Sequence, residues 1–267
     1  MSLSFFSLAS GSSGNCYYIG TPDYGVLIDA GIGIRTIIKT LKDKGIDVSK
    51  ISGILITHDH ADHIRTVGCL GNKYNIPVYT TKDVHEGIER SRYVQESLYQ
   101  QRREIEKGIP FQLRDFQITA FDVPHDSSDN VGFLIEYQQL RFVVATDVGH
   151  ITDTIRTYVS RATHLVIEAN YDEEMLFNGT YPQFLKDRVS GPNGHLSNKE
   201  TAEFLASIYS PDLKYIWLCH LSRDNNHPEL AYKTIDIRLF EEGIRVGKDV
   251  RLATLKRNTP TDFFELD

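Results

Sequence analysis

The run His58-Asp59-His60-Ala61-Asp62-His63 constrains the chain more than any other stretch. It follows the apolar segment Ile51-Ser52-Gly53-Ile54-Leu55-Ile56-Thr57, so it reads as a strand that stops at a dense cluster of ligand-type side chains. His58 and His60 stand two residues apart, and in extended chain their side chains point the same way and can grip one metal ion. Asp62 and His63 are adjacent, which suits a turn that aims them at a second ion beside the first. Imidazole with carboxylate suits divalent Zn, Mn or Fe, and the side chains alone do not choose among them.

Similar strand ends recur along the chain. Phe121-Asp122-Val123-Pro124 leads into His125, Arg141-Phe142-Val143-Val144-Ala145-Thr146 into Asp147, and Tyr215-Ile216-Trp217-Leu218-Cys219 into His220. Upstream, Val26-Leu27-Ile28 leads into Asp29-Ala30-Gly31. Each candidate closes an apolar, β-branched or aromatic run, where a strand delivers a side chain to the mouth of a sheet. In order and approximate spacing these motifs resemble those of the metallo-β-lactamase superfamily, and the resemblance spans nearly the whole chain. It implies an α+β fold, the αββα sandwich of two mixed sheets flanked by helices, as one domain over residues 1–267. It also implies that His58, His60 and His125 hold one divalent ion, that Asp62, His63 and His220 hold another, and that Asp147 bridges both. Asp29 then either orients a ligand histidine through its other ring nitrogen or simply closes a strand-end turn.

Composition fits an intracellular, soluble enzyme. Hydrophobic content of 40% and charged content of 24% are ordinary for a protein with a sizeable core. The amino-terminal Met1-Ser2-Leu3-Ser4-Phe5-Phe6-Ser7-Leu8 has neither a basic region nor a long apolar run, so neither a signal peptide nor a membrane span is expected, and the cytoplasm is the expected location. Cys16, Cys69 and Cys219 are widely spaced and read as reduced, buried small hydrophobes. The net charge of −7 argues against a broad nucleic-acid-binding surface, although it leaves room for a local basic groove. The arginines of Glu89-Arg90-Ser91-Arg92 and Gln101-Arg102-Arg103-Glu104 are interspersed with acids and read as a solvated helical face.

Strand-like runs alternate with helical ones throughout. Strands are predicted over 3–8, 16–19, 26–28, 51–56, 78–79, 116–123, 131–137, 141–145, 164–168 and 215–218. Helices are predicted over 34–44 (with Gly45 as its cap), after His63, over 197–210 and over 228–242. Residues 81–106 read as one or two polar, exposed helices forming a flap. Gln138-Gln139 is placed to turn a hairpin.

Three further features narrow the branch. Ser10-Gly11-Ser12-Ser13-Gly14-Asn15 has small residues whose backbone N–H groups can converge on an anion, making it a candidate phosphate loop or else a tight turn. Ser197 and Glu200 form a capping box, so a helix starts there and His195 lies just outside its N-terminus, where the dipole favours phosphate or a developing oxyanion. Glu168, at a strand end, is placed to orient His195. Gly194-His195-Leu196-Ser197 resembles the Gly-His-x-Ser motif of the phosphodiesterase and nuclease members. Together with Leu8–Cys16, Glu168-Ala169-Asn170-Tyr171-Asp172 and Leu218-Cys219-His220-Leu221-Ser222, it is most similar to the YycJ/WalJ (VicX)-like branch. That branch is associated with a cell-wall two-component regulatory system and with DNA exonuclease activity. The stretch from Asp147 to His220 is too short for the clamping domain of ribonuclease J. Antibiotic hydrolysis is disfavoured by the missing export signal and by an Asp-His pair where some such enzymes use Cys. The tail after His220 is too short for a glyoxalase II-type thioesterase domain.

The resemblance implies a hydrolase with two divalent ions, Zn or Mn with Fe as a third choice, that attacks phosphorus with a metal-bound hydroxide. Asp62, His195 and Glu168 form its catalytic set, with His195 protonating the leaving oxygen or stabilising the charged transition state. Ser10–Asn15 and Ser197 would meet the substrate. The substrate is a phosphodiester, with DNA favoured; two other readings stay open. One is hydrolysis of a small cyclic nucleotide or cyclic phosphodiester, and the other a metal-binding regulator linked to two-component signalling.

Overall fold

The computed structural model describes residues 2–266. Residues 2–120, 127–131 and 256–266 form one compact unit, and residues 121–126 and 132–255 form the other.

Strands β1 (Leu3–Ala9), β2 (Cys16–Gly20), β3 (Gly25–Ile28), β4 (Ile51–Leu55), β5 (Val78–Thr80) and β6 (Arg102–Glu104) line up in sequence order in one seven-stranded sheet. The carboxyl-terminal β14 (Phe264–Leu266) closes its other edge beside β1. The sheet is antiparallel from β14 to β3 and parallel from β3 to β6. Parallel strands are covered on both faces, and Val26, Leu27, Ile28, Ile54 and Leu55 are accordingly all buried. Helix α1 (Ile34–Asp43) sets Ile37 and Leu41 into the core on one stripe, and α3 (Val67–Tyr74) contributes Val67 and Leu70. Between them lies the one-turn α2 (Ala61–Ile64).

The second seven-stranded sheet has the order β13-β12-β11-β10-β9-β8-β7. These are β7 (Phe111–Leu113), β8 (Phe116–Asp122), β9 (Val131–Tyr137), β10 (Leu140–Ala145), β11 (His164–Glu168), β12 (Tyr215–Cys219) and β13 (Arg251–Thr254). It too is mixed: β7–β8 and β9–β10 are antiparallel, and β10 to β13 parallel. The second unit has its own core, built on Leu165, Ile167, Ile216 and Leu218, with Leu205, Ile235 and Leu239 from helices α8 (Asn198–Ile208) and α9 (Pro228–Glu241). Helices α5 (Asp153–Val159), α6 (Glu173–Asn178) and α7 (Gln183–Val189) complete it. Ser197 caps α8 with the full capping box to Glu200, and Pro228 starts α9 at a position where its missing N–H costs nothing.

Most predicted elements are present within a residue or two. The cap of α1 is Lys44, and Gly45 follows it in the left-handed region at φ 75°. The expected hairpin joins β9 to β10, with Gln138 at φ 54°.

Three readings need correction. Residues 81–106 are not a flap of exposed helices. Only α4 (Lys82–Arg90) is helical, it buries Val84, His85 and Ile88, and the segment ends as edge strand β6. The polar residues there hid a one-faced helix and a short strand that exists only because β5 pairs with it. The turn expected at Asp62 and His63 is the helix α2. Strand β7 was not foreseen, nor were β13 and β14, which make the tail after His220 an edge for each sheet. Three- and four-residue strands carry too little periodicity to be read locally.

Candidate metal centre

In the first unit the donors are held by a buried carboxylate. Asp29 follows β3, Thr57 lies two residues beyond β4, and the parallel register sets these strand ends side by side, with Ile28 opposite Leu55. Asp29 Oδ1 accepts the Thr57 N–H at 2.9 Å, and the Thr57 hydroxyl reaches both carboxylate oxygens at 3.1 and 3.0 Å. Asp29 Oδ2 takes His63 Nδ1 at 2.7 Å. Thr57 Oγ1 lies 3.1 Å from His58 Nδ1; a hydroxyl that donates to Asp29 accepts from His58. Both rings therefore carry the proton on Nδ1 and present Nε2 as the ligand atom. The His58 ring centroid lies 4.0 Å from that of His63 and 4.7 Å from that of His60. His60 is the N-cap residue of α2 yet makes no side-chain cap. Asp62 Oδ2 stands 3.6 Å from His63 Nε2. Asp59 turns to other work, accepting from the backbone and hydroxyl of Ser128 at 3.1 and 2.6 Å. Burial pushes the Asp29 carboxyl above its usual range, and His63 and Thr57 offset only part of that.

Glycine is required beside this cluster. A Cβ on Gly31 would lie 1.5 Å from the Asp62 carbonyl oxygen, so no other residue allows the ligand turn to approach so closely.

In the second unit the donors come from distant parts of the chain. Asp147, Glu168, His195 and His220 bring one ligand atom each within 4.8 Å of the others. Glu168 is fully buried and organises them. Its Oε1 receives His195 Nδ1 at 2.8 Å and His220 Nδ1 at 2.9 Å, while Oε2 receives the backbone N–H groups of Val148 and Leu196 at 2.8 and 3.2 Å. His125 Nδ1 donates to the Gly194 carbonyl at 3.0 Å. As in the first unit, an oxygen acceptor on Nδ1 leaves Nε2 of His125 and His220 as the ligand atom. Asp147 Oδ1 lies 3.7 Å from His125 Nε2 and 3.4 Å from His220 Nδ1, and its Oδ2 accepts from Thr146 Oγ1 at 2.7 Å. Burial works to raise the Glu168 pKa, but the His195 charge and the bonds from both histidines hold it below the usual range. Burial likewise opposes charge on His195, and Glu168 overcomes it, holding the imidazole above its ordinary value.

The backbone marks these positions independently. Asp29, Asp147 and His220 all adopt the left-handed region, at φ 60°, 54° and 52°. A residue with a Cβ there costs on the order of 1 kcal/mol, and such strain gathers where a side chain must be aimed.

The loop Ser10–Asn15 is largely occupied with itself and with the ligand turn. Asn15 Oδ1 accepts the Gly11 N–H at 2.8 Å, the Gly14 N–H bonds to Gly11, and the Asn15 N–H bonds to the Asp62 carbonyl. Ser10 Oγ meets Tyr17, Ser13 Oγ donates to Asn258, and Ser12 is exposed. Asn15 Nδ2 lies 3.0 Å from His63 Nε2. Ser197 Oγ caps α8 and reaches Glu173 at 3.4 Å. Two buried residues escaped the sequence reading. Thr57 is the hinge of the first half-site, and Asn170 donates to the His220 carbonyl at 2.8 Å. Thr57 stands directly before His58, the one signal that pointed to it. Of the remaining histidines, His85 bonds to the Arg103 carbonyl and His227 caps α9. Of the four arginines of the basic cluster, Arg102 pairs with Glu89 and Glu104 and Arg90 with Glu86, while Arg92 donates to the Tyr93 hydroxyl and Arg103 to the Gln100 and Arg102 carbonyls.

The donor set, four imidazoles with oxygen-anchored Nδ1 atoms plus carboxylates, fits divalent metal. Comparison with known proteins agrees. Residues 24–217 match the model of the Beta-lactamase superfamily domain. Exodeoxyribonuclease YycJ of Bacillus anthracis is 32% identical over 261 residues, covering 98% of each chain. Exodeoxyribonuclease WalJ of Streptococcus pneumoniae is 34% identical over 259 residues, covering 97% of this chain and 96% of its own. The crystal structure of the metallo-β-lactamase fold protein YhfI from Bacillus subtilis superposes with a TM-score of 0.72 at 15% identity, covering 99% of this chain and 100% of that one. With donor motifs, fold and near full-length relatives in agreement, the chain belongs to the metallo-β-lactamase superfamily, in the branch of the YycJ and WalJ proteins.

Proposed function

We propose that this chain is a metal-dependent phosphodiesterase that degrades DNA from an end, acting in the cytoplasm. The observation that carries the reading is the shared geometry of His58, His63, His125 and His220. Each has Nδ1 committed to a protein oxygen, so each presents Nε2. The relatives named exodeoxyribonucleases, matched from end to end, supply the substrate class. His58, His60 and His125 would hold one divalent ion and Asp62, His63 and His220 the second, with Asp147 shared between them; Zn and Mn suit this set, and Fe is also compatible. Bound there, the pair would supply an activated water and polarise the phosphoryl oxygen. Asp29 and Thr57 keep His58 and His63 in their ligand tautomers, and Glu168 does so for His220. His195, held at Nδ1 by Glu168, faces the substrate with Nε2 and delivers a proton to the leaving oxygen. Asn15 and the loop before it steady the ligand turn through the bond from the Asn15 N–H to the Asp62 carbonyl.

The test is turnover with Mn or Zn on end-labelled linear DNA, covalently closed circular DNA, RNA and small cyclic phosphodiesters. Mononucleotides released from linear DNA while the closed circle survives are expected. Cutting of the closed circle, or turnover confined to cyclic phosphodiesters, would overturn the exonuclease reading.

A further inference from the structure

The ligand turn of the first unit is tied by hydrogen bonds to three other loop segments. The Asn15 N–H reaches the Asp62 carbonyl, the Gly31 N–H the Asn15 carbonyl and the Ala30 N–H the His63 carbonyl. Thr66 Oγ1 donates to the carbonyls of Ala30 and Ile32. The Ser10 N–H meets the Lys256 carbonyl at 3.1 Å, and Ser13 Oγ donates to Asn258. Residues 10–15, 30–36, 61–66 and 256–261 therefore form one loop cluster beside Asp62 and His63.

Its charge is one-sided. The cluster carries Arg35, Arg65, Lys256 and Arg257 against a single carboxylate, Asp62, which belongs to the metal centre. Arg35, Arg65 and Lys256 are exposed, and none has a carboxylate within ion-pairing distance among the described residues. Beyond the cluster, Asp262 pairs with Lys44 at 3.2 Å, and the Glu96 carboxylate rests against Gly68 of α3. Arg90 and Arg102, by contrast, each face a glutamate. Arg65 follows Asp62 by three residues in helical backbone, so both emerge on the same side of the turn. Arg35 stands in the first turn of α1, where a cation opposes the helix dipole, and α1 has neither an acidic residue there nor a side-chain cap to offset it. An anion at that end satisfies both the arginine and the helix. In a chain of net charge −7, such a surplus of cations is a local property of this face.

We propose that this loop cluster is the docking surface for the phosphate backbone of a single DNA strand, with Arg35, Arg65 and Lys256 each meeting a phosphate next to the one undergoing cleavage. The inference rests on the phosphodiesterase reading above. Contacts to phosphates read no bases, which suits an enzyme that must accept any sequence.

Arg35→Gln, Arg65→Gln and Lys256→Gln, singly and together, remove the charge and keep a long polar side chain. They are compared with the parent chain, and with Lys248→Gln in the second unit as control, by thermal melting and by fluorescence anisotropy. The probe is a labelled thymidine oligonucleotide with cleavage-resistant phosphorothioate linkages, titrated at about 50 to 200 mM salt. Melting should not change. The slope of log affinity against log salt should flatten by about 0.7 for each cation lost, and by roughly 2 in the triple variant. Lys248→Gln should leave the slope as it is. A folded triple variant that keeps the parent slope would sink the surface even if the parent chain degrades DNA, as would equal flattening by Lys248→Gln. If the slope depends on these three residues but the parent chain turns over only cyclic phosphodiesters, the surface stands and the exonuclease reading falls.

Discussion

The two units solve the same problem in opposite ways. In the first, the donors His58, His60, Asp62 and His63 lie within six consecutive residues, and one carboxylate, Asp29, with Thr57, anchors two of the rings. In the second, His125, Asp147 and His220 are separated by long stretches of chain, and Glu168 gathers two histidines and two backbone N–H groups at once. The electrostatics follow the number of partners. Asp29 has one imidazole, and burial leaves its carboxyl raised; Glu168 has two, and is lowered despite equal burial. A compact donor motif needs modest support, whereas a dispersed one depends on a shared acceptor.

Five substitutions test that contrast. The largest effect is expected for Asp147→Ala, which removes the one carboxylate assigned to both ions. Elemental analysis should approach two metal equivalents per parent chain, and the variant should lose both ions and its activity together. Two equivalents and normal turnover in Asp147→Ala, or a parent chain saturating at one, would refute the shared ligand.

Next is His195→Ala, which removes a ring held by Glu168 without removing an assigned ligand. Metal content should persist while phosphodiester cleavage falls roughly 10²–10⁴-fold, the range for a lost general acid. The deficit should shrink on nitrophenyl esters, whose leaving group needs little protonation. Equal loss across leaving groups would point to charge stabilisation instead.

Glu168→Gln against Asp29→Asn tests the comparison directly. Loss of an orienting carboxylate typically costs 10- to 100-fold in metal affinity or activity. The Glu168 variant should suffer the greater loss of turnover because it also releases His195. A larger deficit in Asp29→Asn, measured by metal titration and rate, would reverse the ranking.

Thr57→Val should have the smallest effect, about tenfold in metal affinity, since the Thr57 backbone N–H still reaches Asp29 and only the hydroxyl between Asp29 and His58 is lost. An unchanged affinity would make Thr57 a packing residue.

The donor run after β4, the strand ends at Asp29, Asp147 and His220 and the capping box at Ser197 could all be read from local pattern, and the resemblance of these motifs to the metallo-β-lactamase superfamily implied the fold. Each is written in neighbouring residues: an apolar run and what terminates it, or a side chain and the backbone three residues on. The short strands β6, β7, β13 and β14 could not, because such strands are stabilised by the neighbour they pair with rather than by their own residues. Local pattern allows residues 10–15 to be either a phosphate loop or a tight turn. The fold places the Gly11 and Gly14 N–H groups in bonds within the loop and directs the Asn15 N–H to the Asp62 carbonyl. What the sequence determined by itself was which donors exist and which strand end carries each. Tertiary packing is what brings His220 to the Glu168 that also holds His195, and what makes Thr57 the link between Asp29 and His58. Spacing along the chain encodes periodicity, but the meeting of strand ends far apart in sequence depends on strand register and burial, which no local pattern contains.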